Sequence, residues 1–151
     1  MTLPRFCALL LAVFALNFPA SAAPQAAGTW HTISDVDGKP RGIVRIEQAA
    51  DGGLRGVAAG TLVPGEDPNQ ACVKCPGAKK NKPLMGMEIL WGLKPVKGKP
   101  GQWADGQVLD PDSGNVYSAR LTVSPDGQKL TLRGFLGVSV LGRSQTWKRA
   151  P

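Results

Sequence analysis

The chain has 151 residues, with 18 Lys and Arg against 11 Asp and Glu, 42% hydrophobic side chains and 3 cysteines. Its 19 glycines and 13 prolines follow no fixed period, which excludes collagen, argues against long helices and indicates one domain punctuated by turns. Only 19% of residues are charged and apolar side chains occur throughout, so the composition is not that of a disordered chain.

The first element is a leader. Met1–Ala22 carries one cation, Arg5, then the unbroken apolar run Phe6–Leu16, then Pro19-Ala20-Ser21-Ala22 with small residues where a signal peptidase reads. This is the pattern of a cleaved secretory signal. The run falls short of the roughly 20 apolar residues that span a bilayer, and no later stretch is long enough to cross a membrane. Cleavage after Ala22 discards Arg5 and Cys7, leaving residues 23–151 as one mature domain, expected in the periplasm or secreted.

From Trp30 onward, short runs rich in β-branched and aromatic residues recur between clusters of Gly, Pro, Asn and Asp. That spacing predicts antiparallel strands over Thr29–Ser34, Gly42–Gln48, Leu54–Val63, Leu84–Gly92, Gln102–Leu109, Asn115–Val123, Lys129–Leu136 and Leu141–Arg149. Val44-Arg45-Ile46-Glu47 and Leu121-Thr122-Val123 alternate apolar with polar, as half-buried strands do. Turns are read at Asp37-Gly38-Lys39-Pro40, Asp51-Gly52-Gly53, Lys97–Gly101, Asp110–Asn115 and Pro125-Asp126-Gly127, where glycine supplies positive φ and proline presets the bend. About eight strands closed on themselves would form a small all-β, up-and-down barrel without exposed edges. A β-sandwich is the alternative architecture.

One long interruption, Pro64–Pro83, carries four prolines and the pair Cys72 and Cys75. With Cys7 removed, the two cysteines of Cys72-Val73-Lys74-Cys75 have only each other in an oxidising compartment, so a local disulfide is expected. A loop this small gains on the order of 2 kcal/mol from the bond, enough to shape the loop rather than hold the domain. A thiol-redox role is the rival reading, with Lys74, Lys79 and Lys80 lowering a thiol pKa, although nothing reads as the βαβ context of a redox CxxC. A metal site would need further ligands, and His31 is the only histidine. That single histidine excludes HExxH chemistry, and no GxSxG elbow occurs. Asp110, Asp112 and Gly114 imitate a calcium loop, but Leu121 stands where its final glutamate belongs, so the segment is a turn. No catalytic residue, cofactor or metal is implied.

The mature chain's excess positive charge is local. Lys74, Lys79, Lys80, Lys82, Lys94, Lys97 and Lys99 face the single acid Glu88 between Lys74 and Lys99. A lysine cluster attracts phosphates, anionic headgroups or polyanionic envelope polymers. It lacks the arginine forks and interleaved aromatics of a nucleic-acid surface, so the segment reads first as a solvated loop kept soluble by its charge, with docking on an anionic envelope partner as the alternative.

Gly28-Thr29-Trp30 near the start and Trp147-Lys148-Arg149 near the end resemble the calycin pattern of lipocalins and fatty-acid-binding proteins. The resemblance implies Arg149 packing across Trp30 to close the barrel base, where a cation over an indole gains about 1 kcal/mol. Taken whole, the chain resembles the bacterial family called domain of unknown function 2147. The landmarks are Gly28-Thr29-Trp30, Asp37-Gly38-Lys39 before Val44-Arg45-Ile46, Cys72-Val73-Lys74-Cys75, Lys82–Leu93, Gly106–Pro111, Gly114-Asn115-Val116-Tyr117, Arg133–Gly137 and Leu141–Arg149. Membership implies an exported lipocalin-like barrel and supplies no established activity.

The expected function is accordingly non-enzymatic binding of a small apolar or amphipathic ligand, or of an envelope component. Met85, Met87, Ile89, Trp91, Trp103, Tyr117 and Phe135 are the expected cavity lining, with Lys79, Lys80 and Lys82 near a mouth to meet an anionic headgroup.

Overall fold

The computed structural model describes residues 22–151. The expected leader, Met1–Ala22, lies outside the described residues in all but its last position. Eight strands follow in chain order: β1 (Gly28–Ile33), β2 (Pro40–Gln48), β3 (Leu54–Thr61), β4 (Glu88–Pro95), β5 (Gln102–Leu109), β6 (Val116–Val123), β7 (Lys129–Phe135) and β8 (Arg143–Arg149). Each pairs antiparallel with the next. β1 also pairs with β8 through Trp30↔Arg149, His31↔Lys148 and Thr32↔Trp147, closing the sheet into a barrel. This is the expected up-and-down barrel, and first-to-last pairing is what distinguishes it from the sandwich, whose sheets keep their edges.

Two-residue periodicity sorts the side chains. In β6, Ala119, Leu121 and Val123 are buried while Arg120 and Thr122 are exposed; in β2, Val44 and Ile46 are buried around exposed Arg45. Inward positions pair with inward positions around the barrel, as in Leu121↔Leu132 and Leu130↔Trp147. Trp30, Leu90, Leu93, Leu130 and Trp147 fill the interior to 2% exposure or less, so much of the barrel is a packed core.

β4 departs from its expected span of Leu84–Gly92. Leu84–Met87 form a turn instead: Gly86 has φ 79°, its amide donates to the Ala58 carbonyl, and the Met87 amide donates to the Leu84 carbonyl. The strand starts at Glu88 and continues through Leu93 to Pro95. Its alternation also skips. Gly92 (φ 70°) and Asp105 (φ 62°) both take left-handed backbone at facing places in β4 and β5. The skip lets Leu90 and Leu93, three apart, both turn inward beside Trp103 and Gly106, also three apart. A Cβ on Gly106 would lie 2.4 Å from Leu93 Cγ and 2.9 Å from the Trp91 carbonyl, so glycine is what admits the second leucine.

Because successive strands reverse direction, the connections alternate between two ends. The β2–β3, β4–β5 and β6–β7 loops lie at the end where β1 begins and β8 finishes. The β1–β2, β3–β4, β5–β6 and β7–β8 loops lie at the other. The long β3–β4 loop, which includes a single 3-10 turn at Gly77–Lys79, folds back against the outer wall. It meets the β5–β6 loop at Gly114 (φ 76°), where a Cβ would stand 1.9 Å from the Lys74 carbonyl oxygen.

Candidate functional site, the two ends of the barrel

One end is sealed. The Arg149 guanidinium lies over the Trp30 ring, 4.2 Å from its centroid. It donates to the Gly127 carbonyl (2.6 Å), the Ala27 carbonyl (3.1 Å) and the Gln25 carbonyl (2.6 Å). Trp30 Nε1 donates to the Ala26 carbonyl at 2.8 Å, and Trp103 Nε1 to the Gly52 carbonyl at 2.9 Å. Gly28, at φ 128°, would put a Cβ 2.7 Å from Arg149 Nη1, so the arginine reaches its seat because that residue has no side chain. Trp147, 2% exposed, completes the packing with its Nε1 donating to Gln145 Oε1.

The other end is open. Pairing places Thr32, Val108, Tyr117, Gly134, Arg143 and Gln145 on the inner face, and Thr32, Val108, Tyr117 and Gln145 are only part-buried. The atoms nearest to a Cβ on Gly134 would be Tyr117 Cβ at 3.5 Å, Val108 Cγ1 at 3.6 Å and Tyr117 Cγ at 3.8 Å, which is ordinary contact. Tyr117 hydroxyl accepts from Asn115 Nδ2 at 3.3 Å. At the rim, Arg143 forks onto both carboxylate oxygens of Asp35 through Nε and Nη2. Hydrogen bonding from Arg143 is the main reason the Asp35 carboxyl sits below its ordinary range, and the same bond holds the arginine's proton more firmly. An apolar and hydroxyl-lined mouth with a fixed ion pair at its lip can accept the apolar body of a small molecule and orient its polar end.

The expected lining residues divide between the two faces. Trp103 and Tyr117 point inward, Trp103 deep in the sealed half and Tyr117 in the mouth. Ile89 and Trp91 flank inward Leu90 and therefore lie on the outer wall, and Phe135 pairs with outward Ser118, with Arg120 5.8 Å from its ring centre. Met87 is buried beneath the β3–β4 loop, its Sδ 3.9 Å from Cys75 Sγ, and Met85 is 40% exposed. The outward placements follow from the pairing phase: Leu90, opposite Val108, takes the inner face of β4 and leaves Ile89 and Trp91 outside, and β7 carries Leu130 and Leu132, rather than Phe135, on its inner phase. Composition never indicated Thr32, Val108, Gly134, Arg143 or Gln145. The alternation Arg143-Ser144-Gln145-Thr146-Trp147, running outward from an evident core tryptophan, is the signal that could have.

Lys79 lies 4.0 Å from the centroid of Trp91 and donates to the Glu88 carbonyl at 2.6 Å, pinning the loop to the outer wall. Lys74 donates to the Asp112 carbonyl at 2.8 Å. Lys80 and Lys82 are exposed. The basic segment is split by β4: Lys74, Lys79, Lys80 and Lys82 belong to the open end, whereas Lys97 and Lys99 stand on the β4–β5 loop at the sealed end. Cys72 and Cys75 are disulfide-bonded, with Cα atoms 5.4 Å apart, and are only 3% and 1% exposed, so a thiol partner reaches them only after the loop opens. Among the described residues no group of three or more His, Cys, Asp or Glu is placed to hold a metal ion, and no helix is long and apolar enough to cross a membrane. Two shallow depressions, of about 220 and 430 Å³, follow the β5–β6 irregularity on the outer wall between Arg120 and its neighbours.

The profile of a family described as an uncharacterized protein conserved in bacteria, DUF2147, matches residues 28–149. The chain belongs to the DUF2147 family. The match opens at Gly28 and ends at Arg149, the two residues that meet at the sealed end. No curated protein matches the chain significantly. A solved structure, protein HP1028 from the human pathogen Helicobacter pylori, described as belonging to the lipocalin family, superposes with a TM-score of 0.70 at 18% identity, covering 84% of each chain. At that identity the likeness establishes a shared lipocalin-like fold.

Proposed function

We propose that this DUF2147 member is an exported, non-enzymatic binding protein that takes a small amphipathic ligand through the open end of its barrel. The observation that carries the reading is the asymmetry of the two ends. One is plugged by Trp30 and Arg149, while the other leaves Val108, Tyr117 and Thr32 part-exposed beneath the Arg143–Asp35 pair. The apolar leader at Met1–Ala22 supports export to the periplasm, and the lipocalin-like fold supports binding without chemistry.

Native and denaturing mass spectrometry of protein recovered from the periplasm without reductant tests the reading on one sample. The expected result is a mature chain beginning after Ala22, with its two cysteines oxidised and a non-covalent lipid-sized mass. Gly134→Leu fills the mouth from a position that is free of left-handed strain, and is expected to lose that added mass while keeping its circular dichroism spectrum. A bare wild-type mass, or retention of the ligand by Gly134→Leu, would overturn the proposal.

A further inference from the structure

The exposed large apolar side chains of the described residues all lie in loops of one end. Leu136, Val138, Val140 and Leu141 stand on the β7–β8 connection, Val36 on β1–β2, and Val73 and Met85 on β3–β4. Strand faces and the three loops of the sealed end carry none. Val36, Val140 and Leu141 are the most exposed, at 83%, 83% and 80%. Phe135–Gly142 holds no charged residue. A concentration of exposed apolar side chains at one end of a protein marks a place of contact.

We propose that the open end of the barrel docks on a lipid surface, with the β7–β8 tip inserted among the lipids. Three properties favour lipid over a protein partner. The apolar residues sit on separate loop tips around a mouth, and seven scattered side chains do not supply the about 800 Å² per partner of a stable protein interface. A fluid surface accepts loop tips without a complementary pocket. Lys80 and Lys82 are exposed on the β3–β4 loop of the same end and form no ion pair with an acid among the described residues, which leaves them free for headgroup phosphates. Two acids of this end are paired locally, Asp35 with Arg143 and Asp37 with Arg41. Glu66, Asp67, Asp110 and Asp112 also belong to this end, so the apolar tip drives docking and the lysines add a salt-sensitive preference for anionic lipid. Such docking would turn the mouth toward the membrane, and it stands whether or not a ligand occupies the barrel.

The test is a Val140→Cys variant of the exported protein, labelled with a polarity-sensitive fluorophore and mixed with vesicles of phosphatidylcholine and phosphatidylglycerol. Lys97→Cys on the sealed end serves as the control, and no barrel ligand is added. The label at residue 140 is expected to shift to the blue while that at 97 does not. Val36→Asp with Leu141→Asp is expected to weaken vesicle partitioning by about tenfold or more with an unchanged circular dichroism spectrum. Lys80→Glu with Lys82→Glu is expected to lower binding to the mixed vesicles and leave binding to phosphatidylcholine alone. Because the readout is local, retained leader residues cannot imitate it. An unshifted label at 140, equal shifts at both ends, or concentration-dependent dimerisation that the Asp variants abolish would overturn the proposal, the last assigning the patch to a second copy.

Discussion

Arg149 shows how one side chain serves several elements. Its guanidinium joins the final strand to the chain entering β1 through the Gln25 and Ala27 carbonyls, to the β6–β7 loop through Gly127, and to the Trp30 ring. A lysine keeps the charge but cannot reach three carbonyls from one planar fork. Arg149→Lys is therefore expected to lower stability by about 1–3 kcal/mol, measured as a reduced urea midpoint with an unchanged slope. At the opposite rim, hydrogen bonding from Arg143 holds Asp35 below its ordinary range. A lowered carboxyl pKa stabilises the fold above the unfolded value, near 3.9, and that contribution disappears as pH falls through the lowered value. Both partners are solvent-exposed, so the effect on stability is small. Arg143→Gln should return the Asp35 titration upward to the usual carboxylate range, observed directly by carboxyl NMR; an unmoved titration would mean that another group sets it.

At the scale of elements, the irregularity shared by β4 and β5 decides which side chains enter the barrel. Gly106 sits where Leu93 needs space, and the Trp91 carbonyl blocks the remaining direction. Gly106→Ala should destabilise by about 1–3 kcal/mol through overpacking, seen as a lowered melting temperature. Gly134→Ala, placed in ordinary contact distance, provides the comparison and should melt close to wild type. β2 and β6 were legible because Val44-Arg45-Ile46-Glu47 and Leu121-Thr122-Val123 alternate apolar with polar. β4 was not, because Leu84-Met85-Gly86-Met87 is as apolar as a strand, and nothing local reveals that Gly86 folds back to donate to Ala58. Ile89, Trp91 and Phe135 were expected inside for the same reason: composition identifies a residue that wants burial, and only the pairing phase says on which side of the wall it finds it.

For the whole molecule, closure produces the asymmetry of the two ends. Eight strands of alternating direction must place four connections at one end and three at the other together with both chain termini of the barrel. The termini bring Trp30 and Arg149 together as a plug, while the four-loop end collects Tyr117, the Arg143–Asp35 pair and the exposed β7–β8 tip. Gly134→Leu and the labelled Val140→Cys variant examine those two consequences separately, one inside the mouth and one outside it. The basic segment also acquires its meaning at this scale. Seven lysines that are continuous in sequence part company across β4, so a single lysine patch is replaced by a group at the open end and another at the sealed end.

By itself the sequence determined the all-β class, about eight strands and Cys72–Cys75 as the expected local pair, which depend on alternation, turn chemistry and short spacings, all local properties. The meeting of Gly28-Thr29-Trp30 with Trp147-Lys148-Arg149 came from the resemblance to the calycin pattern and from no local property. Tertiary structure alone decided that Leu93 joins Leu90 inside, that Trp91 lies outside beneath Lys79, and that Arg143 reaches Asp35 from 108 residues away. Those outcomes depend on register around a closed sheet, where one left-handed residue in each of two strands shifts the phase of everything that follows.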